Sequence, residues 1–390
     1  MVAKARPWNW LRADWPAFSY DPVTVGADLA QAYRLHGVME GKAAAVGLSG
    51  DSPVVQEALA DEAWATAAIE GERLPLDAVR SSVLRRLGLS ASGPVDRAVD
   101  GLVAVIDDAT ASHGLPLDRD RLCRWQSALF PGGTSGLHRI AVGRFRDHPD
   151  PMQIVSGRPG REVVHFEAPP SAEVPRLMDQ FIDWFNGTAP GGAWAGRLDG
   201  LARAAIAHLW FESIHPFEDG NGRLGRALAD MAVAQHLGTP VRLCSLSRQL
   251  LTQRASYYDQ LNLCQRGGMD VTPWVQWFVQ QCAAAYAAAS AAMDDALVKR
   301  RFAEQHGIAG LPDRQRKVLQ RLLEAGDGGF LGGLNAEKYM KLTGISKASA
   351  TRDLADMVER GQLRTIGAGK ATRYYLNVPG WTHGAERGGS

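Results

Sequence analysis

Apolar residues recur at helical spacing along most of the chain, and this pattern predicts a mainly helical protein. An unusually aromatic segment, Trp8 to Phe18, leads into long helical stretches that run to about Asp108. The helical pattern then returns from about Leu115 to Arg301. The helical spacing predicts a helical N-terminal domain at residues 1–110. Tryptophans at this density more often fill a core than bind a ligand.

Two runs rich in β-branched and aromatic residues interrupt the second helical region. Residues 152–155 and 163–166 flank a Gly/Pro turn at 156–160, which predicts a β-hairpin. A purely structural hairpin and a functional one are both open at this point.

A different pattern begins after residue 307. It predicts three helices, a turn between the second and third, and then two strands, and this order resembles a winged helix-turn-helix domain at 308–378. The predicted elements are helices 313–324, 336–342 and 347–360, the turn 343–345, and strands 363–366 and 372–376. The Gly-rich polar residues 379–390 predict a flexible tail.

Charge and composition exclude some classes of protein and partner. With 43 basic and 42 acidic residues, the chain as a whole has no net field for a nucleic acid or a membrane. The four cysteines lack CxxC spacing, which argues against a zinc site and a disulfide framework. No leader pattern and no apolar stretch of membrane-spanning length is found, so we expect a soluble cytoplasmic protein without a membrane partner.

The C-terminal region is locally basic. Residues 310–378 contain 12 Lys and Arg against seven Asp and Glu, which favours a polyanion such as DNA. Lys347, Ser349 and Arg352 face outward if Ala350, Leu354 and Val358 face inward, and Lys370 and Arg373 lie on the wing. Use of this domain for protein contact or dimerisation is the alternative.

Candidate chemistry concentrates in residues 215–226, which read His-Pro-Phe-Glu-Asp-Gly-Asn-Gly-Arg-Leu-Gly-Arg between two predicted helices, 202–214 and 224–235. Glycines on both sides of Asn221 allow consecutive backbone N–H groups to point toward one anion at a helix start. Such a loop is expected to hold phosphates.

The side chains of the loop supply the other parts of a transfer site. Arg223 and Arg226 lie three residues apart, so both guanidinium groups can reach the same anion. Asp219 offers a hard oxygen ligand for Mg²⁺. His215 titrates near neutrality and can accept a proton from an attacking hydroxyl. The sequence therefore predicts phosphoryl or nucleotidyl transfer.

Residues 215–226 resemble, without departure, the signature of the Fic (filamentation induced by cAMP) family, His-x-Phe-x-Asp/Glu-Gly-Asn-Gly-Arg-x-x-Arg. The resemblance implies a helical Fic core at 111–305 and a protein adenylyltransferase (AMPylator) that uses ATP and Mg²⁺. It implies one role for each matching residue: His215 as the base, Phe217 as loop anchor, Asp219 as the Mg²⁺ ligand, Gly220, Asn221 and Gly222 as the anion nest, and Arg226 as the γ-phosphate clamp. Gly222 also distinguishes the chain from the related Doc-type kinases. By the same resemblance, those kinases carry lysine at the corresponding position.

The resemblance also assigns two peripheral features. The hairpin 152–166 is similar to the family's flap, which pairs with a segment of the target protein. Tyr257 and Tyr258, with Gln265, occupy positions that in the family often line the adenine pocket, although aromatic pairs at this spacing are equally common in cores.

Residues 66–71, Thr-Ala-Ala-Ile-Glu-Gly, resemble the family's inhibitory motif, Ser/Thr-x-x-x-Glu-Gly/Asn, on a helix near 60–71. This implies that Glu70, with Thr66, pairs with Arg226 and blocks productive ATP binding. A solvated helical face is the alternative for these residues. By the same resemblance, Glu70 could instead orient water for the removal of AMP.

Two principal hypotheses result. The first is a regulated protein adenylyltransferase that modifies a Ser, Thr or Tyr hydroxyl of another protein or of the chain itself. The second is a DNA-binding regulator that uses the Fic core as a nucleotide sensor. Transfer of UMP or phosphate is a third, and homodimer formation is open.

Overall fold

The computed structural model is mainly helical, as the hydrophobic pattern predicts. It describes residues 8–45, 48, 50, 52–91, 93–156, 163–240, 242–327 and 329–381. The turn of the predicted flap and most of the predicted tail lie outside the described residues. The chain divides into two compact units, residues 1–290 and 291–390.

Among its described residues, the first unit contains ten complete α-helices, the larger part of an eleventh, two short 3₁₀ helices and two antiparallel strand pairs. The helices are α1 (Pro22–Ala45), α2 (Pro53–Ile69), α3 (Leu76–Arg86), α4 (Arg97–Ala111), α5 (Arg119–Leu129), α6 (Val174–Gly187), α7 (Gly200–Ile214), α8 (Asn221–Leu237), α9 (Leu246–Thr252), α10 (Arg254–Gln265) and α11 (Thr272–Gln305). The strands are β1 (Thr134–Ser135), β2 (His138–Arg139), β3 (Gln153–Ser156) and β4 (Val163–Glu167).

Helices α7 and α8 form the centre of this unit. Every residue of α7 is buried, as is typical of a helix that is surrounded on all sides. Asp199 caps its first turn by accepting hydrogen bonds from the backbone N–H groups of Leu201 and Ala202 at 2.8 and 3.3 Å. Helix α8 packs along α7, so the loop between them is held from both sides.

Helix α2 is also part of the core. It packs against α3, α4, α8 and α9, and its buried residues include Leu59, Ala63 and Ile69. The helix ends next to the α7–α8 loop, where Glu70 forms its C-cap and Gly71 follows with φ +86°. Thr66 is buried, so the alternative of a solvated face is wrong for this position.

The flap strands β3 and β4 pair antiparallel, with an irregularity between Ile154 and Val155. Aromatic residues of the N-terminal segment pack against β4. The Trp8 ring meets Phe166 edge-on, and Trp10 Nε1 donates a 2.7 Å hydrogen bond to the Glu167 carbonyl. The N-terminal tryptophans therefore serve packing, as expected.

The second unit has a small core of its own. Helices α12 (Asp313–Ala325), α13 (Ala336–Thr343) and α14 (Lys347–Glu359) are followed by the antiparallel strands β5 (Leu363–Ile366) and β6 (Arg373–Leu376). These elements agree with the predicted order. The unit begins upstream of residue 308, because Phe302, near the end of α11, is buried in this core.

The faces predicted for α14 are present in part. Ala350 and Leu354 are buried, and Lys347 and Arg352 are exposed, whereas Ser349 and Val358 are both half-buried. The Lys370 side chain lies outside the described part of the chain.

Two expectations concern the whole chain. No helix within the described residues combines the length and apolarity that crossing a membrane would require. All four cysteines are free thiols.

Candidate active site

The loop between α7 and α8 starts with an unusual backbone conformation. His215 ends α7 with φ +52°, the left-handed region that few residues other than glycine adopt. Phe217 is fully buried and anchors the loop from below. Its N–H donates to Asn221 Oδ1 at 3.0 Å, and Asn221 Nδ2 donates to the Phe217 carbonyl at 2.8 Å. The Asn221 side chain therefore fixes the shape of the loop.

Arg146 fixes the same loop from outside the motif. Its Nε donates to the His215 carbonyl at 2.8 Å and its Nη2 to the Ile214 carbonyl at 3.3 Å. Its backbone N–H bonds the Pro216 carbonyl at 2.9 Å. The sequence analysis did not find this residue, because it lies in an irregular segment without a periodic pattern.

The His215 side chain is 11% exposed. Burial, together with the nearby Arg146 guanidinium, lowers its pKa to about 4. The imidazole is therefore neutral at physiological pH, which is the form that accepts a proton. Its Nδ1 lies 3.9 Å from Glu212 Oε2, one helical turn earlier.

Asp219 lies at the open side of the loop. Its carboxylate accepts hydrogen bonds from the Ser135 hydroxyl and from the Gly220 N–H. Arg223 Nη2 is 3.5 Å from Asp219 Oδ1, and Arg223 Nη1 is 2.9 Å from Glu72 Oε1. The β1–β2 pair that carries Ser135 was missed by the sequence analysis, since strands of two residues show no alternation.

Arg226 is 3% exposed, and its partners lie on α2. Its Nε donates to Thr66 Oγ1 at 2.7 Å, and its Nη2 donates to the Thr66 carbonyl at 3.0 Å and to Glu70 Oε1 at 2.7 Å. Burial alone would lower the Arg226 pKa, but the Glu70 carboxylate together with Tyr257 and Tyr258 more than offsets this, and the net shift of the pKa is upward. The pairing of Glu70 with Arg226 that the motif implied is thus present in the structure.

The Glu70 carboxylate also lies directly over the glycine turn. A Cβ atom added to Gly222 would come within 2.1 Å of Glu70 Oε1 and within 3.1 Å of Arg226 Nη1. A side chain at position 222 would therefore displace the Glu70 carboxylate from this place. The carboxylate is an anion on the turn where the sequence predicts phosphate binding.

The two predicted adenine residues lie in different surroundings. Tyr257 is 1% exposed, its ring stacks with Trp277, and its hydroxyl lies 2.8 Å from His208 Nε2. Tyr258 is half-buried, and its hydroxyl donates to the Ile69 carbonyl at 3.2 Å, beside Glu70. Gln265 is buried and bonds the Glu212 carbonyl at 3.4 Å. Adenine contacts at these positions stay predictions.

Within the described ranges, no three His, Cys, Asp or Glu side chains converge as metal ligands. Mg²⁺ commonly uses one or two carboxylates together with substrate phosphates, so the donor set around Asp219 fits this metal in kind. The carboxylate and the Ser135 hydroxyl are both oxygen donors, and they lie side by side.

Three segments of the chain match known families. Residues 116–233 match the Fic/DOC family, residues 8–89 match a domain of unknown function (DUF4172), and residues 330–377 match the C-terminal domain of the transcriptional regulator DIP2311-like. His215, the glycine loop and Arg226 fall within the Fic/DOC segment, whereas Thr66 and Glu70 fall within the DUF4172 segment.

Similar proteins include a protein adenylyltransferase Fic of Drosophila willistoni, 33% identical over 147 residues, which are 37% of this chain and 26% of that protein. A protein of the same name from Nematostella vectensis is 25% identical over 229 residues, 58% of this chain and 48% of that one. The chain thus spans between about a quarter and a half of the length of these curated relatives.

Solved structures with a similar fold include a Fic family protein of Desulfovibrio desulfuricans, with a TM-score of 0.49 and 20% identity, covering 90% of this chain and 95% of that one. Fic-1 of C. elegans also has a TM-score of 0.49, with 21% identity, covering 70% of this chain and 75% of the other.

Proposed function

Because this chain is a Fic family protein, with its Fic/DOC domain at residues 116–233, we propose that it is a protein adenylyltransferase that moves AMP from ATP to a Ser, Thr or Tyr hydroxyl of a protein. The observation that carries the proposal is the site itself. A neutral histidine, a glycine turn that already accommodates an anionic group, and a buried arginine converge at the start of α8.

In the proposed reaction, His215 removes the proton from the target hydroxyl. The hydroxyl oxygen forms a bond to the α-phosphorus of ATP while the bond to pyrophosphate breaks. The backbone N–H groups at Gly220 to Gly222 and the Arg226 guanidinium bind the phosphates, and Arg223 contributes a second cation. The loop is held in shape by Arg146 and Asn221, so these groups need little rearrangement during the reaction.

Asp219 would hold Mg²⁺, with Ser135 orienting the carboxylate through its hydrogen bond. Bound there, the ion would neutralise phosphate charge. The carboxylate is partly exposed, with a side-chain accessibility of 40%, and so can be reached by a metal–nucleotide complex.

Glu70 acts in this proposal as an inhibitor built into the chain. Its carboxylate pairs with the Arg226 guanidinium, which would otherwise clamp the γ-phosphate, and it also covers the glycine turn. ATP and the Glu70 carboxylate therefore compete for the same binding position. In the reverse reaction, Glu70 would orient a water molecule that removes AMP from the target. The same carboxylate would do this after its ion pair with Arg226 has broken.

The flap is proposed to bind the target as an added strand. Val155 and Val163 on β3 and β4 are exposed apolar residues. The added strand would pair with the edge of β3, because the Val164 and His165 carbonyls of β4 already accept hydrogen bonds from Arg266. Backbone pairing tolerates many sequences, so the chain's own hydroxyl groups, in one copy or in a homodimer, belong to the target class.

The experiment that tests the proposal follows α-phosphate-labelled ATP into protein in a lysate with Mg²⁺. Three proteins are compared: the unaltered chain, the Glu70→Gly variant, and Glu70→Gly combined with His215→Ala. Label that appears with Glu70→Gly and disappears with the histidine change supports the transferase. Absence of label in all three lanes contradicts it.

Arg226→Ala is expected to weaken ATP binding. In the Glu70→Gly background, where no carboxylate competes, loss of a buried charged partner should raise the Kd for ATP by roughly 30-fold or more, since such losses cost about 2–5 kcal/mol and each factor of ten corresponds to about 1.4 kcal/mol. Calorimetric titration of ATP measures this. Arg197→Ala, which removes an exposed arginine elsewhere in the first unit, serves as the control. An unchanged Kd in the Arg226 variant would contradict the clamp role.

A second function, DNA binding through residues 310–378, is favoured by the match of residues 330–377 to a transcriptional regulator domain and by the exposed cations of α14. Reversing Lys347 and Arg352 to glutamate should weaken retention on random duplex DNA at low salt about tenfold or more, and should lower the salt dependence by about one unit per lost phosphate contact. Gel shift at several salt concentrations measures both effects. Arg197→Glu is the control, and an unaltered chain that never retains DNA would exclude this function.

A further inference from the structure

We propose that Glu212 positions His215 for catalysis: its carboxylate accepts the hydrogen of Nδ1 and thereby leaves Nε2 free to take the proton of the target hydroxyl. This inference rests on the proposed function. Glu212 is not part of the twelve-residue motif; it lies three residues before it, in the last turn of the buried helix α7.

The geometry places the two groups in one buried space. Glu212 Oε2 is 3.9 Å from His215 Nδ1, and both side chains are about nine-tenths buried or more. Among the described residues, His215 Nδ1 has no hydrogen-bond partner, and neither has Glu212 Oε1. Buried polar atoms without partners are rare and costly, so a small rotation that joins these two groups is favoured once substrate closes the site.

Helix α8 leaves room for this carboxylate through a glycine. A Cβ atom at Gly225 would come within 2.4 Å of Glu212 Oε1 and within 3.1 Å of His208 Nδ1. The absent side chain at Gly225 therefore creates the space that Glu212 fills. The carboxylate lies between two imidazoles of α7, on the side that faces α8.

The chemical role follows from the tautomers of imidazole. With Glu212 ionised, Nδ1–H donates to the carboxylate, and the lone pair of Nε2 is free to act as base. With Glu212 protonated, its O–H donates to Nδ1, and Nε2 carries the hydrogen and cannot accept another. When Nε2 takes the proton of the attacking hydroxyl, the resulting imidazolium is stabilised by the adjacent carboxylate.

The state of Glu212 is set by its surroundings. Burial, assisted by the Glu70 carboxylate and opposed by the Arg226 guanidinium, raises its pKa to about 8. The charged and titratable groups that face it come from four helices: Glu70 beyond the end of α2, His208 and His215 of α7, Arg226 of α8, and Tyr257 and Tyr258 of α10. Because the pKa is raised, the ionised, active form gains population as the pH rises.

The test compares Glu70→Gly with Glu70→Gly/Glu212→Gln, because the first protein is free of the inhibitory carboxylate. Initial rates of AMP transfer are measured from about pH 6 to 9.5, with ATP affinity measured at each end. We expect the parent rate to rise with pH and the glutamine variant to be flat. At alkaline pH, the variant should be about 10- to 100-fold slower, a part of the 10²–10⁴-fold contribution of a general base.

A spectroscopic readout separates positioning from folding. In protein labelled with ¹⁵N-histidine, the signals of His215, identified by their loss in His215→Ala, should exchange between the two tautomers with pH in the parent and show no such transition in the glutamine variant. Glu62→Gln is the matched control, because Glu62 is equally buried but bonds Ser245 and the N–H of Ser247. It should keep both the rate profile and the tautomer transition.

A rate that still rises with the same midpoint in the Glu212→Gln variant, or an unchanged His215 transition, would overturn the inference. A different outcome is a chain that transfers no AMP but whose His215 tautomer transition depends on Glu212. That result would contradict the proposed adenylyltransferase activity and would still support the pairing of Glu212 with His215.

Discussion

Replacement of Glu70 by glycine is expected to raise the rate of AMP transfer by roughly tenfold or more, the equivalent of about 1.4 kcal/mol. Glu70 Oε1 lies 2.7 Å from Arg226 Nη2 and directly over Gly222, so its removal frees both the guanidinium and the turn for the triphosphate. The gain comes from ATP binding in place of the carboxylate, and it is largest below saturating ATP.

The fold should tolerate this change. Glu70 caps the end of α2 and does not lie inside it, and the same end is held by bonds from Arg254 and Tyr258 to the Ile69 carbonyl. Thermal unfolding close to that of the unaltered chain confirms this. Glu57→Ala removes another carboxylate of the same helix, which pairs with Arg80 on the surface, and should leave transfer unchanged. Glu70→Gln separates charge from shape: it should also activate if the carboxylate charge is what binds Arg226.

An inactive Glu70→Gly variant that binds ATP more tightly would contradict inhibition by this residue and favour the reverse reaction. In that case, loss of AMP from a pre-modified target should depend on Glu70. The two outcomes are separated by following the same labelled target with and without ATP.

The second large effect is expected for His215→Ala, which should lower AMP transfer by about 10²–10⁴-fold, the usual contribution of a general base. ATP affinity should stay within a factor of about two, since no phosphate group is assigned to this imidazole and each factor of ten corresponds to about 1.4 kcal/mol. Transfer is measured in the Glu70→Gly background, and ATP binding is measured in the same samples.

The positive φ of His215 calls for a second variant. Asparagine tolerates the left-handed conformation better than alanine, so His215→Asn keeps the backbone while removing the base. His148→Ala, outside the loop, is the control for loss of an imidazole as such. If the alanine and asparagine variants both lose ATP binding together with transfer, His215 belongs to the nucleotide pocket and another group is the base.

Much of the site could be predicted because its residues are adjacent in sequence. The glycines, Asp219 and the two arginines lie within one loop and the first turns of one helix. Their spacing along the chain alone requires them to lie close together in space. The contact between Glu70 and Arg226 spans 156 residues, and it was predicted from the resemblance of residues 66–71 to a known motif. No property of α2 by itself indicates it.

Arg146 and Glu212 could not be predicted for different reasons. Arg146 binds backbone carbonyls from an irregular segment, where neither period nor composition marks a partner. Glu212 gave one signal that could have been used: it is an acidic residue in the last turn of a mostly apolar helix, one turn before the histidine. A charge in such a place is seldom left without a partner or a function.

The burial of α2 has a consequence for how this protein can change in evolution. A regulatory segment that is merely laid over a site can be lost by truncation, and the enzyme then becomes permanently active. Here the helix that precedes Glu70 supplies Leu59, Ala63 and Ile69 to the core, so a deletion that removed it would expose the face of α8 and cost the fold itself. Natural variation can therefore relieve the proposed inhibition only by single substitutions near the last turn of the helix, and lineages that lost it should retain residues 53–69 almost unaltered in their buried positions.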